Sequence, residues 1–324
     1  MRLADGEMQL RVMERHREAE DVVSLRLAEP GGAPLPSFTP GAHIALRLGE
    51  GLVRQYSLCN GPEDADAYCI AVKREPLSRG GSAAVHRLVE GDMLVASPPV
   101  NAFEVDWSAP HLVLLAGGIG ITPLVCMARH AQERGHSFEL HYFARSSGHA
   151  AFHGFLADGP LAPHVGFHFG IEPAAVPLLL GRLLASRRAG SHLYLCGPVP
   201  FMDEARAIAS GCAGLAGVHW EYFTPPARPM GAAGRSGACT VRLARSGKTL
   251  EVPAEKSILQ VLTENGVTVD SSCLEGVCGL CATRVLEGEP DHRDEVLTED
   301  ERRRCNLMTV CVSRARGGSL VLDL

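Results

Sequence analysis

Along the first hundred residues the hydrophobic positions come in short runs rather than at helical spacing. VVSLRLAEP, HIALRLGE, VRQYSLCN, AYCIAVKRE and MLVASPP are rich in Val, Leu, Ile and Tyr, and GGAPLPSFTPG, NGPED, SRGGS and EGD separate them. Short β-prone runs with turn punctuation predict an antiparallel β-barrel over residues 1–104. Near residue 108 the pattern changes. HLVLLA (111–116) is continuously apolar, as a strand buried on both faces would be. FELHYFA (138–144), VGFHFG (165–170) and HLYLCGP (192–198) follow, interleaved with the helix-like stretches PLVCMARHAQERG and FMDEARAIA. Strands alternating with helices predict a parallel α/β sheet over 105–225. Residues 226–237, rich in Pro, Gly, Ala and Arg, lack a periodic apolar face and read as a linker. A third domain, 238–324, combines the strands CTVRLAR, TLEVPAE, ATRVLEG, MTVCVS and SLVLDL with the helices SILQVLTENG and LTEDERRR. The expected class is therefore multidomain α+β.

Length supports two or three domains, and a chain of 324 residues can bury a core without disulfides. The formal net charge of −6 gives no bulk attraction for nucleic acid or anionic lipid. The charged N-terminal stretch lacks the apolar segment of a signal peptide, and no run reaches the ~18 apolar residues of a membrane span. A cytoplasmic monomer that does not engage membranes is expected. Eleven cysteines in such a protein point to metal or redox work.

The strongest chemical signal is DSSCLEGVCGLCATRV with a further cysteine in MTVCVS. The spacing is C-x4-C-x2-C, then 29 residues, then Cys. That is the plant-type [2Fe–2S] ferredoxin pattern. Four thiolates must converge on two irons, and Gly276 and Gly279 allow the backbone to turn close to them. A zinc site would more often show paired C-x2-C knuckles. Cys273, Cys278, Cys281 and Cys311 are the expected ligands. Cys311 is preferred to Cys305, which lies beside an Arg run at a helix end, because Cys311 sits in an apolar strand. Cys59, Cys69, Cys126, Cys212 and Cys239 read as small core residues.

Three weaker motifs lie upstream. In VRQYSLCN a strand places Arg54 and Tyr56 on one face and Ser57 on the other. Arg54 can grip a phosphate and Tyr56 can cover a flavin ring, while backbone groups of Ser57 and Leu58 can bond its edge. SRGGS (78–82) is a plausible anion nest. GGIGITP follows a buried strand and opens a helix, so its backbone can approach a pyrophosphate. CGP (196–198) ends a later strand at the same carboxyl edge of the sheet, where open α/β sheets bind ligands.

With RQYSL, AVKRE…SRGGS, LLAGGIGITP, YLCGP…FM, EYF, SCLEGVCGLC and GEPDHRD…LT in this order, the whole chain resembles the phthalate dioxygenase reductase family, especially its vanillate O-demethylase reductase branch. The resemblance implies an N-terminal FMN-binding barrel, a central NAD-binding domain and a C-terminal β-grasp ferredoxin domain. It also implies a terminal Rieske-type oxygenase as the partner that receives electrons from NADH. Position by position, Arg54, Tyr56, Ser57 and Leu58 match the flavin motif, Val72 and Lys73 its neighbouring strand, and Arg79, Gly80, Gly81 and Ser82 the FMN phosphate loop. Gly117, Gly118, Gly120, Cys196, Gly197, Pro198 and Met202 match nicotinamide-side positions. Thr122 matches the flavin–nicotinamide contact and Phe223 the aromatic that shields the ring. Thr122, Cys196 and Phe223 are thus the expected catalytic positions.

One departure concerns the adenosine end. Relatives usually carry an acidic residue after the strand ending HF, whereas here Gly170 follows and Glu172 lies two further on; Arg145 and Ser146 follow the preceding strand. NADH stays the expected donor. A self-contained flavin and iron–sulfur reductase acting on a small acceptor is the alternative reading. Finally, the acidic run between Glu287 and Glu301 could steer a basic partner or be a solvated face.

Overall fold

The computed structural model describes the chain except residues 1–5, 50, 65, 77, 79, 186, 224–236, 272, 273, 275 and 278. The described chain forms two compact units, Met1–Phe223 and Thr224–Leu324. The expected linker lies almost wholly outside the described residues, as do Arg79, Cys273 and Cys278.

The first unit begins with β1 (Met8–Ala19), β2 (Val22–Ala28), β3 (Ala42–Arg47), β4 (Val53–Ser57), β5 (Tyr68–Lys73), helix α1 (Gly81–Arg87), β6 (Met93–Ala96) and β7 (Val100–Asn101). The strands run in the order β4-β3-β6-β1-β2-β5, with β7 paired to β3, and every pairing is antiparallel. A bridge between Leu58 and Ile70 joins the two ends of that order and closes the barrel. The core inside is built from Leu10, Leu25, Ile44, Leu58, Ile70 and their neighbours.

The same unit continues with β8 (Leu112–Gly117), α2 (Ile121–Glu133), β9 (Phe138–Ala144), α3 (His153–Asp158), β10 (Val165–Phe169), α4 (Val176–Ala185), β11 (Ser191–Cys196), α5 (Val199–Ala209) and β12 (Leu215–Glu221). Their sheet is wholly parallel in the order β10-β9-β8-β11-β12. All six residues of the central β8 are buried, which explains its unbroken apolar run. The order reverses direction at β8/β11, so the crevice at the carboxyl ends of these two strands is the ligand-binding position of such sheets. Ala19, Val22, Cys59, Ala71 and Phe103 from the barrel pack into the core under this sheet.

The second unit holds β13 (Cys239–Leu243), β14 (Thr249–Val252), α6 (Ile258–Glu264), β15 (Ala282–Glu287), β16 (Pro290–Asp291), α7 (Glu299–Arg304), β17 (Leu307–Thr309), β18 (Arg314–Ala315) and β19 (Ser319–Leu322). The main sheet runs β14-β13-β19-β15-β17, and β13–β19 is its parallel pair. Both helices start with reciprocal capping boxes, Ser257 with Gln260 and Thr298 with Glu301, which fixes their first turns.

Four elements differ from the sequence expectation. β1 was hidden in a charged stretch: Leu10 and Val12 point inward, but a bulge between Val12 and Glu14 breaks the alternation. α1 forms where a turn was expected, and β12 is an additional parallel edge strand. MTVCVS is a strand only through Thr309. Cys311 lies in the turn that follows, because Val312 and Ser313 N–H groups both donate back to the Thr309 carbonyl.

Candidate functional site

At the barrel end of the first unit the structure brings Arg54 and the glycine turn together. A Cβ on Gly81 would lie 2.6 Å from Cγ and 3.1 Å from Nε of Arg54, so glycine is what lets the arginine cross this turn. Gly80 occupies the left-handed region at φ +97°, which glycine adopts without strain. The turn is tied by Gly80 N–H donating to Ser78 Oγ at 3.1 Å and Glu75 N–H donating to Ser82 Oγ at 3.1 Å. Lys73 pairs with Glu75 at 2.9 Å. Tyr56 packs against the barrel core, and burial holds its phenol well above the ordinary range. The side chains of Leu58 and Val72 belong to the barrel core; the Leu58 N–H donates to Ala42, and the Val72 carbonyl is bonded to His86 Nε2 at 2.9 Å.

The loops after β8 and β11 meet at the carboxyl edge of the parallel sheet. Gly117, Gly118 and Gly120 form a tight turn into α2, and a Cβ on Gly120 would sit 2.2 Å from the Cys196 carbonyl oxygen and 2.6 Å from the Gly197 nitrogen. The GGIGITP and CGP loops therefore touch backbone to backbone. A Cβ on Gly117 would meet Pro198 at 2.8 Å and Phe201 at 3.0 Å, which extends the same contact. Thr122 is buried and donates its hydroxyl to the Ile119 carbonyl at 3.1 Å; Met202 is fully buried and its N–H donates to Pro198 at 3.0 Å. Phe223 is exposed. Arg145 is exposed after β9, and Ser146 bonds His149 Nδ1 at 2.8 Å.

Glu221 belongs to the site although no sequence motif assigns it a role. It is paired with Cys196 across β11 and β12, and Ser57 Oγ donates to its Oε2 at 3.3 Å. One hydrogen bond thus joins the barrel's R-x-Y-S strand to the last strand of the parallel sheet. The residue keeps some exposure, but its carboxyl is enclosed: desolvation pushes it up to about 7, against the Ser57 hydrogen bond that lowers it. Burial, and then the Glu221 charge, push the Cys196 thiol well above its usual value, so it is no ready nucleophile. The motif EYF marks this segment, although the resemblance points only to its aromatic.

In the second unit, Cys281 and Cys311 are both buried in one cluster. Val310 N–H donates to the Cys281 carbonyl at 3.3 Å, which sets the turn carrying Cys311 against the end of the cysteine loop. Cys305 is elsewhere: it caps α7 in the left-handed region and its Sγ contacts the Arg302 carbonyl at 3.3 Å. Four residues, three of them in β17, separate it from Val310, roughly 15 Å of chain when extended. Gly276 and Gly279 have φ of +73° and +74°, and a Cβ on Gly276 would strike Val312 at 2.5 Å and Asp294 Cα at 3.0 Å. Two buried thiols beside a glycine-dependent loop fit a thiolate-ligated cluster. Cys59, Cys126 and Cys239 are buried, as small core residues are, whereas Cys69 and Cys212 keep partial exposure.

Residues 237–316 match the family model for the 2Fe-2S iron-sulfur cluster binding domain. The vanillate O-demethylase oxidoreductase of Pseudomonas sp. (strain HR199 / DSM 7063) is 43% identical over 309 residues, 94% of this chain and 96% of that protein. A solved phthalate dioxygenase reductase, described as a modular structure for electron transfer from pyridine nucleotides to [2Fe–2S], superposes with a TM-score of 0.72 at 39% identity, covering 99% of this chain and 98% of that one.

The chain belongs to the phthalate dioxygenase reductase family.

An intact type IV self-sufficient cytochrome P450 monooxygenase also contains this fold, with a TM-score of 0.87 and 32% identity. It covers all of this chain, which spans 43% of that monooxygenase. Against this family background the antiparallel barrel, the parallel sheet and the C-terminal cluster-binding domain stand in the expected order. Among the described residues no helix is long and apolar enough to cross a membrane.

Proposed function

We propose that this chain is the NADH-dependent reductase component of a Rieske-type oxygenase system, carrying electrons by way of FMN and a [2Fe–2S] cluster to a separate cytoplasmic oxygenase. The observation that carries this reading is the contact of the barrel's Ser57 with Glu221 at the carboxyl edge of the parallel sheet. It brings a flavin motif and a nucleotide-binding crevice to one place. A bound flavin supplies the exchange between a two-electron hydride donor and a one-electron acceptor.

The chain's own residues have separable tasks. Arg54, crossing Gly81, and the Gly80–Ser82 turn hold a phosphate by charge and backbone N–H groups. The glycines of the GGIGITP and CGP loops leave backbone open at the sheet's switch point, where a pyrophosphate binds. Phe223, exposed just after β12, is free to cover a ring and to move aside. Ser57 and Glu221 hold a proton between them at the place where nicotinamide would approach. Cys281 and Cys311, with Cys273 and Cys278, supply the four thiolates.

The test is composition. The purified protein is expected to release FMN on acid treatment and to hold two irons and two sulfides per chain. Zinc in place of iron, or no flavin, overturns the proposal.

A further inference from the structure

Asp294, the last residue of the GEPDHRD segment, has no solvent exposure, and no role has been given to it above. Its Oδ2 accepts from the Leu297 N–H at 2.8 Å and lies 3.7 Å from Arg302 Nη2. Its Oδ1 accepts from Ser313 Oγ at 3.4 Å and lies 3.7 Å from His292 Nδ1. Arg302 Nη2 also donates to the Asp294 carbonyl at 2.6 Å. Ser313 Oγ in turn accepts from Arg293 N–H at 3.1 Å and shares a hydrogen bond with Thr309 Oγ1 at 3.2 Å. Only a carboxylate offers two acceptors to these donors; an amide would turn an NH2 toward one of them.

The network sits between the two halves of the ligand set. On one side, Glu295 N–H donates to the Gly276 carbonyl at 2.9 Å, and the missing Cβ of Gly276 is what lets Asp294 Cα come close. On the other side, Thr309 and Ser313 bracket the turn that carries Cys311. The segment 293–297 is therefore wedged between the cysteine loop and the fourth cysteine's turn.

We propose that Asp294 is a positioning residue for the iron–sulfur site, clamping the cysteine loop at Gly276 against the Cys311 turn through Ser313 and thereby setting the ligand geometry and the reduction potential. This rests on the cluster assignment made above. Outer-shell contacts of this kind orient metal ligands and tune the centre.

The test uses the full chain and the variants Asp294→Asn, Ser313→Ala and Arg314→Lys. Arg314 follows Ser313, but its buried side chain ties the carbonyls of Gly237, Val252, Pro253 and Lys256, so its variant loosens the unit without removing a bond of the clamp. The measurements are the cluster midpoint potential, the low-temperature EPR line shape of the reduced protein and the rate of iron loss to a chelator. Asp294→Asn is expected to move the potential positive, change the line shape and speed iron loss about tenfold. Ser313→Ala shifts all three less in the same direction and decides the matter if Asp294→Asn does not fold. Arg314→Lys lowers the melting temperature while leaving potential and line shape as in the parent. The inference is overturned if Asp294→Asn melts lower with the parent's potential and line shape, or if Arg314→Lys moves them equally. A parent protein without iron overturns instead the cluster assignment beneath it.

Discussion

Glu221 shows what a single residue contributes that a motif does not. Its carboxyl is pushed up to about 7 by burial while Ser57 donates to it. Near neutrality it exchanges a proton beside the crevice, and Glu221→Gln fixes the neutral form at every pH. Stopped-flow reduction of the bound flavin by NADH should show an inflection near pH 7 in the parent and a flat profile in Glu221→Gln. An inflection that survives in the variant contradicts the assignment. The same shift has a stability cost. Between the ordinary carboxylate range and about 7 the folded unit holds a proton that the unfolded chain has released, so this group lowers stability as pH rises through that window. The fourth cluster ligand is also decided at this scale. Cys311→Ser should lose the cluster's visible absorption and Cys305→Ser should keep it; the reverse pattern overturns the choice of Cys311. The sequence reason for preferring Cys311 was an apolar strand; the structure keeps the apolar burial but places the residue in a turn.

At the scale of elements, the parallel sheet was legible because its central strands β8 and β11 are almost wholly buried and so read as apolar runs. β1 and β12 were not. One is bulged with a charged outer face, and the other is an edge strand whose residues are nearly all half-buried. Register on neighbouring strands was invisible as well. His141 Nδ1 lies 3.1 Å from His168 Nε2, and His219 Nε2 lies 3.1 Å from His192 Nδ1, although in the sequence these histidines look scattered. Burial, then the neighbouring His141, lowers His168 to about 4; burial, then His192, lowers His219. Between the ordinary histidine value and about 4 the unfolded chain takes up protons that the folded sheet refuses. Glu221 opposes this over the same range, so in Glu221→Gln, where that titration is removed, stability of the first unit should fall as pH drops from about 6.5 toward 4, which calorimetry would register as a declining melting temperature. A flat profile would mean that the pairs are accommodated when charged. The Gly120 contact is a second element-level test. Gly120→Ala places a Cβ against the Cys196 carbonyl, so it should cost about 1–3 kcal/mol and raise the KM for NADH. Unchanged melting and KM would separate that loop from the nucleotide site.

For the whole molecule, the order of the motifs carried most of the reading, and the family comparison agrees with it. The acidic run looks different in three dimensions. Glu287 pairs with Arg242, Glu289 with Arg316, Asp291 with Arg293 and Asp300 with Arg303, while Asp294 is buried. Charges matched this locally give little long-range field, so delivery of electrons to an oxygenase should depend weakly on salt; a steep fall with ionic strength would restore the steering role. The most direct test of the central proposal is an anaerobic titration of the purified protein with NADH, followed by visible absorption and low-temperature EPR on the same samples. The expected result is bleaching of the flavin together with growth of the reduced-cluster EPR signal as NADH is added. Flavin bleaching with no cluster signal at any NADH level, or no bleaching at all, would contradict a chain that carries electrons from nicotinamide to iron and sulfur.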